Sequence, residues 1–214
     1  MPCRKTLILF ILSFFFSCSI AQAKIGGGVG FAISCPQEEF ANVSDMGYGV
    51  SGKIFASPPT MNFFAIRADF AWISYGSETA GNIYVPGTDL SVDVTTSYNS
   101  YQFTVGPQLS APAGPFDFYF SPMVGIYNYS TTESIEETEI SHNKWDITKI
   151  GWNVGVGTIV KLYTLEEPGT PGMVFGADFE MKYHTVKNII PSEIRGERDA
   201  NDLTFHVGAI VMLK

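Results

Sequence analysis

Phe64-Ala65-Ile66-Arg67-Ala68-Asp69-Phe70-Ala71-Trp72 alternates strictly, with Phe64, Ile66, Ala68, Phe70 and Trp72 on one side and Ala65, Arg67, Asp69 and Ala71 on the other. A two-residue period puts successive side chains on opposite faces of an extended strand, so this segment has one continuous apolar face and one that carries opposed charges. The same division recurs twice. Met173, Phe175, Ala177, Phe179, Met181 and Tyr183 alternate with Gly176, Asp178, Glu180, Lys182 and His184, and Leu203, Phe205, Val207, Ala209, Val211 and Leu213 alternate with Thr204, His206, Gly208, Ile210 and Met212. No 3.6-residue period competes with it.

Worked outward from these three segments, the pattern predicts eight strands near 25–33, 47–57, 62–75, 97–111, 116–129, 146–162, 173–186 and 202–213. Their connections alternate in kind. Pro58-Pro59, Pro112-Ala113-Gly114-Pro115 and the stretch from Glu166 to Gly172 are turn-forming, whereas 34–46, 76–96, 130–145 and 187–201 are longer and polar. Turns at one end and loops at the other predict an antiparallel up-and-down transmembrane β-barrel with both termini on the turn side, the periplasm.

The 214-residue chain opens with Arg4 and Lys5, an apolar run from Leu7 to Phe16, and Ala21-Gln22-Ala23. That is a secretory leader with a small-residue cleavage site. Residues 1–23 are therefore read as a cleaved signal peptide and 24–214 as the barrel. Cys18 competes as a lipid acceptor, but Phe15, three positions upstream, is not the aliphatic residue such a site uses. Cys35 is then the single cysteine left, which excludes an internal disulfide and a cysteine metal site. Without Arg4 and Lys5, 11 basic residues face 21 acidic ones, a net charge of −10 that argues against nucleic acid as a partner.

Three further stretches carry a resemblance: Ile25-Gly26-Gly27-Gly28-Val29-Gly30-Phe31, Tyr101-Gln102-Phe103-Thr104-Val105-Gly106-Pro107 and Gly151-Trp152-Asn153-Val154-Gly155-Val156-Gly157. They are patterns of strand type, and across nearly all of 24–214 the chain resembles the outer-membrane β-barrel domain family, the OmpA/OmpX-like and opacity-protein-like small barrels. The resemblance implies outer-membrane lipid and the barrel-assembly machinery as partners. One departure stands out, since such barrels commonly end on an aromatic residue and this chain ends Met212-Leu213-Lys214.

If the apolar faces meet lipid, Trp72, Tyr101, Trp152 and Tyr183 are interfacial belt residues. Lys53, Arg67, Asp69, Asp117, Lys161, Asp178, Glu180, Lys182 and His184 then point inward, and an eight-stranded barrel is just narrow enough for side chains to fill it without leaving a pore. His184, His206 and Glu180 share that face and are the one set resembling a metal site. No GxSxG, HExxH or phosphate loop occurs, so no catalytic, cofactor or metal residue is assigned and no cofactor is expected. The loops are acidic at Glu133, Glu136, Glu137 and Glu139 and include Phe40, Ile83, Tyr84 and Val85, a candidate surface for an extracellular ligand. The sequence thus reads as a non-enzymatic integral outer-membrane protein with a structural or cell-surface interaction role. The alternatives are a periplasmic small-ligand barrel, which needs its apolar faces inside, and an outer-membrane lipid-modifying enzyme.

Overall fold

The computed structural model describes residues 24–38, 40–42, 44–84, 91–135, 140–166, 172–190 and 198–213. Residues 1–23, Val85, Glu136, Glu137, Glu139 and Lys214 lie outside them. Eight strands run β1 (Lys24–Gln37), β2 (Gly47–Ser57), β3 (Phe64–Tyr84), β4 (Ser91–Ala113), β5 (Phe116–Ile135), β6 (Ile140–Leu165), β7 (Met173–Ile190) and β8 (Arg198–Leu213), with one 3-10 turn at Phe40–Asn42. Each pairs antiparallel with its neighbours in sequence, and β1 pairs with β8 to close the barrel. Closure leaves no free edge around this ring, so every strand there has its backbone groups paired on both sides.

Short turns at one end set the register. Ala113 pairs with Phe116 across a two-residue turn in which Gly114 has φ 63°, a conformation that a β-carbon disfavours. Register fixes the faces, because a slip of one residue would reverse them. Arg67 and Asp69 are buried, while Ile66 and Phe70 on either side of the pair are nearly half exposed. The alternation holds in β7 and β8 as read from sequence: Asp178, Glu180, Lys182, His184, Thr204 and His206 are inside, and Phe175, Phe179, Met181, Phe205, Val207 and Leu213 are outside.

The outward apolar positions form a band. It covers 64–72 in β3, 116–126 in β5, 173–183 in β7 and 203–213 in β8, against the ~9–11 residues that a tilted strand needs to cross a hydrocarbon layer. Trp72 and Tyr101 are cross-strand partners, and the rings of Trp152 and Tyr183 lie 6.4 Å apart, all four toward the loop side of the band.

Four strands are longer than the sequence pattern predicts. β3, β4, β5 and β6 run on through 76–84, 91–96, 130–135 and 140–145, which alternation had assigned to loops. Their Ser- and Thr-rich stretches suit extended backbone but hold few large apolar residues, so period-2 hydrophobicity has little to report. β7 and β8 gain shorter extensions, to Ile190 and from Arg198.

Strands approach closely where glycines face each other. Gly30 pairs with Gly208, and a β-carbon on Gly30 would sit 2.8 Å from the Gly208 Cα. Gly52 has its nearest neighbour at 3.8 Å. Gly30→Leu should therefore lower the unfolding free energy by about 1–3 kcal/mol through overpacking, whereas Gly52→Ala should leave it equal or up to about 1 kcal/mol higher. Urea unfolding of the detergent-folded barrel, followed by its mobility on unheated gels, compares the two.

Candidate functional site

The barrel offers two places for function, its interior and its loop end. Inside, a layer of paired charges lies between two clusters of mainly apolar residues. The turn-end plug is Phe55, Ala65, Tyr119, Ile159 and Ile210, and the loop-end plug is Ala32, Phe40, Ile73, Tyr75, Tyr127, Val186 and Ala200.

The layer is centred on Glu180, whose side chain is fully buried. Its Oε2 accepts from Arg67 Nη2 at 2.5 Å and Lys53 Nζ at 2.7 Å, and its Oε1 from Ser121 at 3.3 Å. Arg67 also forks onto Asp69, with Nε and Nη2 each donating at 2.7 Å, and Lys182 pairs with the same carboxylate. Asp178 accepts from Tyr119 OH at 2.8 Å and pairs with Lys53. Lys53 and Arg67 also lie 5.4 and 5.2 Å from the centre of the Tyr119 ring. Three carboxylates thus meet three basic side chains drawn from β2, β3 and β7, a charge-matched network whose pairs satisfy one another away from water.

Seven of the nine residues predicted to point inward belong to this buried layer or border it. Asp117 and Lys161 also point inward but pair at 3.3 Å near the turn-end rim, where both remain partly exposed. The grouping of His184 with His206 and Glu180 does not form. His206 is paired with Glu180 and His184 with Asp202, four residues further along the ladder, so the two backbone positions are separated by about 13 Å along the strands. His206 Nδ1 bonds to Ser51 Oγ at 3.0 Å and His184 Nδ1 to Tyr127 OH at 3.1 Å. Among the described residues no three His, Cys, Asp or Glu side chains gather as a metal site. A void of about 10 Å3 bordered by Ser51, Lys53, Asp178, His206 and Gly30 has room for about one water.

Sequence reasoning missed the residues that seal the mouth. Phe40 was taken as part of an exposed loop surface, but the 3-10 turn folds it into the barrel, 7% exposed, edge-on to Tyr75 at 5.3 Å and Tyr129 at 5.9 Å. Glu38, at φ 52°, accepts from Asn201 Nδ2 at 2.6 Å and ties that segment to β8. Asp202 was missed too, although it continues the inward parity of Thr204 and His206.

At the loop end β3, β4, β5 and β6 rise beyond the apolar band as a four-stranded sheet. β2 leaves β3 at Ser74 and β7 leaves β6 at Gly151; above those points, among the described residues, β3 pairs only with β4 and β6 only with β5. The β3 edge is interrupted by two register shifts and by Gly76 at φ 90°. The β6 edge from Ile140 to Ile150 has one, where Trp145 gives way to Asn143.

A closed eight-stranded barrel with an apolar outer band is shared with solved proteins. The crystal structure of Ail, the attachment invasion locus protein of Yersinia pestis, in complex with the heparin analogue sucrose octasulfate superposes with a TM-score of 0.53 at 15% identity, covering 89% of this chain and 99% of that one. A second crystal structure of Ail gives 0.51 at 15% identity over the same shares. The chain has the fold of this outer-membrane barrel. Neisserial surface protein A gives 0.48 at 14% identity, over 90% of this chain and 97% of that one. No family model and no curated protein matches the chain.

Removing one member of the buried network strands the charges that it held. Glu180→Ala should cost about 3–5 kcal/mol, while Lys161→Ala at the half-wet rim should change stability by no more than about 1 kcal/mol. Denaturant midpoints of the two folded variants check the contrast.

Proposed function

We propose that this chain, exported by a leader cleaved after Ala23, is a non-enzymatic integral outer-membrane barrel with its termini in the periplasm and the projecting β3–β6 sheet as a cell-surface interaction platform. The observation that carries the reading is the division of the wall: a lipid-matched apolar band of 9–11 residues, then on the order of 30 Å of further strand in β3–β6 above it. A soluble ligand-binding barrel has the reverse arrangement, apolar inside and polar outside.

The acidity gives the platform a sign. Segments 34–46, 76–96, 130–145 and 187–201 together hold 13 acidic and four basic residues, a net of −9 out of −10 for residues 24–214. Ail is solved with a sulfated heparin analogue, a strongly anionic ligand. The loop end here would repel such a ligand, so a cationic partner fits it better.

Against catalysis stands the arrangement of the hydrolase-type groups at hand. Ser34 donates to Asp202 at 2.9 Å rather than to a histidine, and both lie buried beneath Phe40 with His184. Among the described residues no rim-exposed nucleophile is held by a base, which is the geometry that lipid modification would need.

A protease site inserted at 136–139 should be cut by enzyme added to intact cells, and the same site in the 112–115 turn only after the cells are opened; the reverse pattern overturns the orientation. Replacing 132–143 by Asn-Gly should preserve the gel shift between unheated and heated barrel and abolish attachment of expressing cells to a polycationic surface. Unchanged attachment would remove the sheet from the function.

A further inference from the structure

Asp202 is 1% exposed, and among the described residues its hydrogen bonds come from Ser34 Oγ and Tyr75 OH, both at 2.9 Å and both to Oδ2. It makes no ion pair among the described residues. The buried interior therefore carries four carboxylates, Asp69, Asp178, Glu180 and Asp202, against Lys53, Arg67 and Lys182. A lone buried carboxylate is costly unless donors surround it.

The cross-strand register supplies one such donor. Asn153 on β6 pairs with His184 on β7, which pairs with Asp202 on β8, so the three lie in one row with β-carbons about 5 Å apart and all face the narrow interior. Each is at least 98% buried, and each has one polar atom without a protein partner: Asn153 Oδ1, His184 Nε2 and Asp202 Oδ1. The hydrogen bonds around Tyr127 favour one tautomer. Its oxygen accepts from Asn153 Nδ2 at 2.9 Å, so its own proton goes to His184 Nδ1 at 3.1 Å and the ring proton sits on Nε2. The three unpartnered atoms are then one donor and two acceptors.

We propose that this row is a binding site for one resident water, which accepts from His184 Nε2–H and donates to Asp202 Oδ1 and Asn153 Oδ1. Three bonds is the usual complement of a buried water, and the set here matches the water's own donors and acceptor. The water is the third donor to the Asp202 carboxylate. It also joins Ser34, Tyr75, Asp202, His184, Tyr127 and Asn153 into one hydrogen-bonded belt that touches β1, β3, β5, β6, β7 and β8 beneath the Phe40 plug, and so couples six of the eight strands at the mouth.

The test is NMR of the full barrel, folded in deuterated detergent with 15N-labelled histidine, the His184 signals being assigned by their loss in His184→Gln. The expected result at neutral pH is a neutral ring protonated at Nε2, with a slowly exchanging Hε2 that shows a cross-peak to water. Asp202→Asn keeps an acceptor oxygen and should shift Hε2 while retaining the cross-peak. A ring protonated at Nδ1, a doubly protonated ring, a slowly exchanging Hε2 with no water cross-peak, or an Hε2 lost to rapid exchange would each overturn the proposal.

Discussion

A strand in an apolar surround has nowhere to place its amides and carbonyls except on another strand. Each bare peptide group would cost several kcal/mol, and no water is present to offset it. Closing β1 onto β8 is the arrangement that satisfies this constraint for all eight strands, and the rest of the molecule follows from it. Closure divides every strand into inward and outward residues, and with eight strands the inward side has space for side chains and little more.

Within that space charge and shape have to balance. Lys53, Arg67 and Lys182 neutralise Asp69, Asp178 and Glu180, and apolar plugs above and below keep the pairs from water. Such a network adds little net stability over a well-packed apolar core, but any one member removed leaves the others unpaired, which fixes which strand faces which. A filled interior also directs function elsewhere. The wall above the band, where β3–β6 continue without lipid on either side, is the part of the protein free to meet a partner.

The sequence was informative where its two faces met different surroundings. In 64–72, 173–183 and 203–213 one face meets an apolar medium and the other a polar interior, and alternation reported both the strand and the side on which Arg67, Asp178 and Glu180 would lie. The stretches 76–84, 91–96 and 130–135 hold few large apolar residues, so apolar alternation left little trace there and the strands went unread. Phe40 shows the converse difficulty, since an aromatic residue in a polar segment looks alike whether it faces a partner or folds back as a plug.

From the amino acids alone came strand number, faces, turn ends and the acidity of the loop end, because period, turn chemistry and charge are local properties. The tertiary structure alone decided which inward residues meet. His184 stands beside Asp202 and Asn153 rather than His206, Glu180 is shared by Arg67 and Lys53, and Phe40 closes the mouth on Tyr75. Those contacts depend on register between strands up to 127 residues apart in sequence, and no local pattern encodes it.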